Sequence, residues 1–425
     1  MTIKEQAAVM KLNSTKMAVT TLEERNGALT AIREGLLAHK DEIFKANKED
    51  MERAQEEGIA APILKRLKFQ EEKLNEVVTG ISDLIGLPDP LGKEQLKREL
   101  DTDLLLVRKS CPIGVIGVIF EARPDAMVQI ASLCIKSGNC AILKGGSEAM
   151  KTNKTIFKVI YQAALDAGMP ENCMFQIEAR SDITELLECH ESVDLLIPRG
   201  SNSFVQYIME HTKIAVMGHA DGICHVYADR TLDLDKAIRV ILDSKTQYTA
   251  VCNAAETLLV HKDIAGELLP KLNEALCAKG VEVRGTKEVQ EIVTCEAASE
   301  EDFSTEYLDL IISVKTVENI WEAIEHINKY GSHHTDCIIT EDGEAAQTFM
   351  KCVDSAGVYH NCSTRFADGY RYGFGAEVGI STGKLHARGP VGLEGLCTYK
   401  YELFGNGNIV ADYAEGRKQF HFKDI

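Results

Sequence analysis

Apolar positions in the first 95 residues return at helical spacing. Leu29, Ile32, Leu36 and Ile43 form one series, and Leu64, Leu67, Leu74, Val77, Val78, Ile81 and Leu84 form another, with Glu and Lys between them. Ala61-Pro62 and Pro88-Asp89-Pro90 punctuate the segment. Residues 1–95 are therefore expected to be helices that pack on a neighbouring domain and carry no chemistry. Residues 96–111, through Asp101-Thr102-Asp103-Leu104-Leu105-Leu106-Val107-Arg108, read as an extended ribbon, and Thr398-Tyr399-Lys400-Tyr401-Glu402-Leu403-Phe404 is also strand-like.

From Ile113 onward strands and helices alternate. Strands are predicted at 113–119, 141–143, 174–177 and 195–197, with a helix at 126–136 and others between the later strands. A second alternating unit has strands at 257–260, 310–314, 337–340 and 358–359, with helices at 266–277, 320–330 and 344–352. Such alternation predicts α/β domains with parallel sheets covered on both faces, an architecture that binds nucleotides at the carboxyl ends of its strands. No G-x-G-x-x-G follows a strand.

A chain of 425 residues exceeds one core, so two or three domains are expected. With 45% hydrophobic and 26% charged residues it is an ordinary globular composition. No window approaches a membrane span and the first residues contain no apolar signal core, so a cytoplasmic location is expected. Thirteen cysteines with no C-x-x-C fit free thiols in a reducing compartment. A net charge of -18 argues against nucleic acid and membrane surfaces as partners. A phosphorylated substrate or cofactor would need a local basic exception, for which Arg123, Lys144, Arg199 and Arg365 are candidates. His333 and His334 are adjacent and should diverge, His219 and His225 read as structural, and no H-E-x-x-H occurs, so no metal is expected.

One thiol stands in a different setting. In Gln247-Tyr248-Thr249-Ala250-Val251-Cys252-Asn253-Ala254-Ala255-Glu256-Thr257-Leu258-Leu259-Val260-His261, a cysteine occupies a short polar turn five residues before a strand. A thiol there can meet a substrate from outside, whereas most cysteines in such a chain are small buried hydrophobes.

That run resembles the catalytic-cysteine segment of the gamma-glutamyl phosphate reductase family, a branch of the aldehyde dehydrogenase superfamily. The resemblance extends through Cys111-Pro112-Ile113-Gly114-Val115-Ile116-Gly117-Val118-Ile119-Phe120-Glu121-Ala122-Arg123-Pro124 and Ile197-Pro198-Arg199-Gly200. It continues in Ser363-Thr364-Arg365-Phe366-Ala367-Asp368-Gly369, Gly375-Ala376-Glu377-Val378 and Lys384-Leu385-His386-Ala387-Arg388-Gly389-Pro390. It implies an aldehyde dehydrogenase-like α/β fold of two Rossmann-like domains plus a small β oligomerisation ribbon. Residues 1–95 would be the helical part of the cofactor domain, 96–111 the ribbon, 112–245 the NADPH-binding domain, 246–385 the catalytic domain, and 386–425 a return and oligomerisation tail. The ribbon would pair with the tail of another subunit in a homo-oligomer.

The resemblance also implies site residues. Cys252 would be the nucleophile. NADPH would rest on two loops: Lys144, Gly145 and Ser147, with the lysine at the adenosine ribose or its phosphate, and Arg199, Gly200 and Ser201, whose backbone N–H groups would receive the pyrophosphate. Ser147 stands where NAD-preferring relatives carry a glutamate, which favours a 2'-phosphate. Glu306 would hold the nicotinamide ribose, with Glu377 as competitor. Gly218, in Val216-Met217-Gly218-His219-Ala220-Asp221-Gly222, stands where hydrolytic relatives place the base that activates water. Ala122 replaces the oxyanion asparagine, so the Cys252 N–H and the Asn253 amide are the expected donors. Arg123 and Arg365 would grip the substrate's phosphate and α-carboxylate, aided by Asn361, Ser363 and Thr364.

The implied reaction is NADPH-dependent reduction of L-glutamate 5-phosphate to L-glutamate 5-semialdehyde in proline biosynthesis, through a Cys252 thioester and without metal. A glutamate 5-kinase is a candidate partner. One alternative is a hydrolytic aldehyde-oxidising dehydrogenase, disfavoured by Gly218. Another is a catalytically silent scaffold of the same fold, disfavoured by Cys252 and the intact 384–390 motif.

Overall fold

Threonines open the first two helices. In the computed structural model, which describes residues 1–178, 182–218, 221–375 and 377–425, Thr2 accepts the Glu5 N–H while Glu5 reaches back to the Thr2 N–H, and Thr21 and Glu24 do the same. The helical segment comprises α1 (Ile3–Ala18), α2 (Leu22–Ala38), α3 (Lys40–Glu56), α4 (Ala61–Leu67) and α5 (Glu71–Gly86). Its buried stripes are the expected ones: Leu29, Ile32, Leu36 and Ile43 are inaccessible, as is Leu74, and Val77, Ile81 and Leu84 are nearly so.

The chain divides into two compact units, Met1–Met217 with Val391–Ile425, and Gly218–Pro390. In the first, β1 (Glu94–Asp101) and β2 (Leu104–Pro112) form an antiparallel hairpin, with Asp103 at φ 59 in its turn. A four-stranded parallel sheet follows, built from β3 (Val115–Phe120), β4 (Cys140–Gly145), β5 (Met174–Ile177) and β6 (Leu195–Arg199) in the order β5-β4-β3-β6. Its helices are α6 (Pro124–Lys136), α7 (Met150–Asp166), α8 (Asp182–Leu187) and α9 (Asn202–Glu210). Every residue of β3 and β4 is buried, as strands covered on both faces require. The chain lays β4 and β5 on one side of β3 and β6 on the other, so the order reverses between β3 and β6. That is where open α/β sheets bind ligands.

The second unit contains β7 (Cys224–Ala228), α10 (Leu234–Thr246), β8 (Ala255–His261), α11 (Lys262–Ala278), β9 (Glu282–Gly285), α12 (Lys287–Gln290), β10 (Glu296–Ala297) and β11 (Ile311–Val317). It continues with α13 (Ile320–Tyr330), β12 (Thr335–Ile339), α14 (Gly343–Cys352), β13 (Gly357–His360) and β14 (Gly379–Ser381), which pairs with β15 (Gly389–Val391). Seven strands form one parallel sheet, β10-β9-β11-β8-β7-β12-β13. Alternate residues serve its two faces. Leu258 and Val260 pack with Leu268, Leu272 and Ile241, while Leu259 packs with Ile324, Ile327 and Phe349.

Two expectations are corrected. Residues 218–245 belong to the second unit, because β7 pairs with both β8 and β12 near the middle of its sheet. The tail strand β16 (Cys397–Phe404) pairs with β2 of its own chain, from Cys397↔Pro112 to Phe404↔Leu105. After α15 (Val410–Ala414), β17 (Lys423–Asp424) closes on β1. Eight consecutive pairs satisfy the ribbon's backbone without a second subunit. Among the described residues no helix is long and apolar enough to cross a membrane.

Candidate active site

The loop between α10 and β8 presents Cys252. It is tightly turned, with the Val251 N–H donating to Thr249 O at 2.9 Å and the Ala254 N–H to Val251 O at 3.2 Å. Its two ends are joined by Lys245 Nζ and Glu256 Oε2, 2.6 Å apart and both inaccessible. Asn253 Nδ2 donates to Ala367 O at 2.8 Å and Thr364 Oγ1 donates to Asn253 O at 2.7 Å, fastening the loop to the 363–367 turn. Gly222 lies against its back, where a Cβ would overlap the Cys252 backbone.

β8, β7 and β12 are parallel neighbours, so their amino ends share one edge of the sheet. Cys252 precedes β8, Cys224 begins β7 and His334 immediately precedes β12. The result is a cluster that no local spacing announces. His334 Nε2 lies 3.1 Å from Cys252 Sγ, and on the ring's other side Nδ1 lies 3.0 Å from Thr335 Oγ1 and 3.7 Å from Cys224 Sγ. His334 is inaccessible, while Cys252 is partly exposed. His333, at φ 61, turns its ring the other way toward Asp354 O. The pair diverges as expected, and that divergence aims His334 at the thiol.

Burial disqualifies many of the other thiols as nucleophiles. Desolvation pushes Cys134, Cys140, Cys173 and Cys397 up to about 12, and raises Cys224 and Cys337 as well. Cys224 donates its S–H to Cys252 O at 3.2 Å, a supporting contact.

The expected substrate residues separate. Arg365 is nearly buried, its Nε donating to Gln247 Oε1 at 2.9 Å at the start of the cysteine loop. Burial lowers its pKa and the Arg371 charge adds to this, whereas Cys252 opposes it. Ser363 caps the following turn by accepting the Arg365 N–H at 3.2 Å, and Ser244 Oγ lies 3.3 Å from it, so Ser363 and Thr364 act as loop fasteners. Asn361 is not brought to the thiol. Its amide closes on the Thr340 N–H and C=O at 3.0 and 2.9 Å, at the carboxyl edge of the sheet. Arg123 belongs to the first unit, where it is half exposed 3.7 Å from Asp125. Glu306 is half buried, and Glu377 Oε2 accepts the Gly369 N–H at 2.7 Å. His225 is inaccessible on β7, its Nδ1 3.3 Å from Asp336, in keeping with a structural role. His219 and Ala376 lie outside the described residues. Among the described residues no three His, Cys, Asp or Glu side chains gather as a metal requires.

In the first unit, the switch point collects the expected cofactor loops. Ala122, at φ 40 just past β3, donates its N–H to the Glu148 carboxylate, and Ser201, just past β6, donates its N–H to Glu121 Oε2 at 3.1 Å. Both backbone donors already hold anionic oxygens of the chain itself. Gly200 keeps the approach open, since a Cβ there would come 2.7 Å from Glu121 Oε2, and at Gly146 a Cβ would overlap the Glu148 carboxylate. Lys144 is buried with Nζ 2.6 Å from Gly145 O, and Arg199, half buried, ends β6. The cations suit the phosphates of a nicotinamide dinucleotide, whereas the two N–H groups would have to exchange the Glu148 and Glu121 carboxylates for them. Ser147 is exposed, and Arg53 Nη2 from α3 donates to Ser147 O and Glu148 O at 3.0 and 3.1 Å.

Sequence reasoning missed His334, Gly222, Glu121 and Arg53. Only Gly222 left a signal, as a glycine ending the Gly218–Gly222 run. The others depend on strand neighbours or on contacts far apart in sequence.

A partly exposed thiol at the amino edge of one parallel sheet, and glycine-bearing loops at the switch point of another, suit an α/β oxidoreductase that uses a nicotinamide cofactor. The chain belongs to the aldehyde dehydrogenase family, whose model matches residues 2–290. It is 57% identical over 420 residues to the gamma-glutamyl phosphate reductase of Acetivibrio thermocellus, covering 99% of this chain and 97% of that one. The crystal structure of gamma-glutamyl phosphate reductase from Thermotoga maritima superposes with a TM-score of 0.93 at 41% identity, over 95% of this chain and 99% of that one. An acetylating aldehyde dehydrogenase from Geobacillus thermoglucosidasius, at 16% identity and a TM-score of 0.63 over 96% and 97% of the two chains, shares the fold.

Proposed function

We propose that the protein is a glutamate-5-semialdehyde dehydrogenase that reduces L-glutamate 5-phosphate to L-glutamate 5-semialdehyde and releases phosphate, the second step of proline biosynthesis from glutamate. The observation that carries this reading is Cys252, a partly exposed thiol in a loop fastened at both ends, in a chain whose relatives are named gamma-glutamyl phosphate reductase. Cys252 Sγ displaces phosphate from the acyl carbon to give a thioester. The nicotinamide, when bound, supplies the hydride that reduces that thioester. Position 218 offers glycine where a hydrolytic enzyme needs a carboxylate, so the thioester persists until phosphate attacks in the reverse direction.

Arg365 is assigned to the substrate's phosphate or α-carboxylate, Arg123 to the other anionic end, and the Cys252 N–H with the Asn253 amide to the oxyanion. Glu306 or Glu377 would hold the nicotinamide ribose. The first unit is read as the cofactor domain, and NADPH as the cofactor, because Ser147 brings no carboxylate to the ribose and Arg53 lies against its loop. A homo-oligomer is supported by edge strand β16, where Tyr399, Tyr401, Leu403 and Phe404 are about half exposed. A kinase that phosphorylates glutamate must supply the labile substrate, and the cytoplasm is the proposed location.

The test runs the reaction backwards, with pyrroline-5-carboxylate and NADP, with and without phosphate, for wild type and Cys252→Ala. Cofactor reduction should require both phosphate and Cys252. Turnover without phosphate would show that water deacylates the enzyme and that the argument from Gly218 fails.

A further inference from the structure

We propose that His334 is the acid–base partner of Cys252, taking the thiol proton through Nε2 and returning it to the departing phosphate oxygen. The inference rests on the thioester reading above and adds a catalytic residue to it.

The geometry carries the case. Nε2 lies 3.1 Å from Sγ, the separation at which a proton passes between a thiol and an imidazole. The ring is held, not loosely placed. The Ala356 N–H donates to His333 O and the Gly357 N–H to His334 O, both at 2.9 Å, tying this segment to the start of β13. Thr335 Oγ1 stands 3.0 Å from Nδ1, and a hydroxyl can donate to that nitrogen or accept from it, so it can follow either protonation state. Cys224 Sγ, 3.7 Å from Nδ1, is held as a thiol by burial and does not compete for the proton. The other charged groups acting here are Asp336 and Glu256, which raise Cys224, Lys245 beside Glu256, and Arg365, which feels the Cys252 charge.

The proton balance closes. Cys252 S–H gives its proton to Nε2, and the thiolate forms the C–S bond as the C–O bond to phosphate breaks. The imidazolium then donates to the leaving phosphate oxygen. After hydride reduces the thioester carbonyl, the C–S bond breaks and the electron pair returns to Sγ. One proton from solvent restores the thiol–imidazole pair, which matches the single proton consumed when an acyl phosphate is reduced to an aldehyde. In reverse, neutral His334 deprotonates the attacking phosphate.

The experiment measures iodoacetamide alkylation of Cys252 in the full-length protein from about pH 5 to 9.5, for wild type and His334→Gln, and kcat and KM for phosphate in the reverse reaction. Wild type should alkylate well below the ordinary thiol range near 8.5, and His334→Gln should move the midpoint up by about one unit or more. The variant's kcat should fall about 100-fold or more, with KM for phosphate within about threefold. Superimposable alkylation profiles would overturn the proposal even if kcat fell, because a purely structural role would lower the rate without moving the profile. Should His334→Gln fail to fold, thiolate ultraviolet absorbance of wild type minus Cys252→Ala decides: a thiolate forming only near the ordinary range overturns it. Neither thiol measurement uses substrate, so loss of phosphate dependence would sink the acyl phosphate reading, and with it the return of the proton to phosphate, while the alkylation profiles still decide whether His334 takes the Cys252 proton.

Discussion

Lys245 and Glu256 meet at 2.6 Å with neither side chain exposed, one on the last turn of α10 and the other on the second residue of β8. Ten residues lie between them in sequence, and those residues contain Cys252. Burial pushes Glu256 up and Lys245 down, and the contact between them works against both shifts. Lys245→Met or Glu256→Leu alone leaves a buried group without its partner and should cost about 3–5 kcal/mol. The double variant should recover most of that loss. Urea unfolding of the three proteins checks the pattern, and single variants within about 1 kcal/mol of wild type would show that the pair holds nothing.

Two glycines should respond oppositely to the same change. At Gly222 a methyl group would overlap the Cys252 backbone, so Gly222→Ala must displace Cys252, the proposed nucleophile. A shift of that size costs about 100-fold in kcat. At Gly266, in the middle of α11, nothing lies within 4 Å of the added carbon. Gly266→Ala should stabilise by about 0.4–1 kcal/mol and leave kcat unchanged. Equal activities for the two variants would refute the reading of Gly222.

Much of this fold is legible in sequence because its strands are short apolar runs set between amphipathic helices. β5 and α13 fall where the pattern puts them, since Met174–Ile177 and Ile320–Tyr330 carry a clear change of period. β7 is not legible. Cys224-His225-Val226-Tyr227-Ala228 mixes polar and apolar residues, and what makes it a strand is pairing on both sides. The candidate site divides in the same way. Cys252 is singled out by the resemblance that its loop carries, since a thiol in a short turn alone is a weak signal among thirteen, whereas the contacts of Asn361 and His334 follow from which strand edge each occupies, and that is decided by sheet order.

Acid should find a weak point at His326. It is buried among Phe303, Tyr330 and His225, with neither ring nitrogen hydrogen-bonded, and burial and then the His225 charge lower it to about 3. The unfolded chain binds this proton near pH 6.5 and the folded one does not. The contribution is therefore complete above that value and drains as pH falls from about 6.5 toward 3, by up to about 1.4 kcal/mol per unit. His326→Phe removes the proton and keeps the ring. Comparing urea midpoints of the two proteins across this window isolates the histidine from the carboxylates. Parallel curves would mean that His326 does not titrate between them.

Cofactor choice should turn on Ser147. The residue is exposed on the turn after β4, and Arg53 grips its carbonyl at 3.0 Å. On the proposed cofactor reading, Ser147→Glu brings a carboxylate toward the 2'-phosphate. KM for NADP should rise about tenfold or more, with KM for NAD unchanged or lower. Inhibition by 2'-phospho-AMP should weaken in parallel, which reads binding apart from turnover. An unchanged preference would place the phosphate elsewhere.

Arg365 should decide how the anionic substrate is held. Its guanidinium is buried next to that of Arg371, and Arg371 Nη1 donates to Arg365 O at 2.9 Å. A buried guanidinium with a second cation beside it favours an incoming anion, although Arg371 is exposed and faces Asp368 at 3.5 Å, and Gln247 fixes the fork by accepting from Arg365 Nε. Arg365→Lys keeps the charge but loses the fork, so KM for phosphate in the reverse reaction should rise about tenfold, and Arg365→Met should raise it about 100-fold. The two KM values separate the possible ligands. A rise confined to phosphate assigns Arg365 to the phosphoryl group, whereas a rise confined to the semialdehyde assigns it to the α-carboxylate. If neither constant moves while stability falls, Arg365 only props up the cysteine loop and the substrate is gripped by other cations.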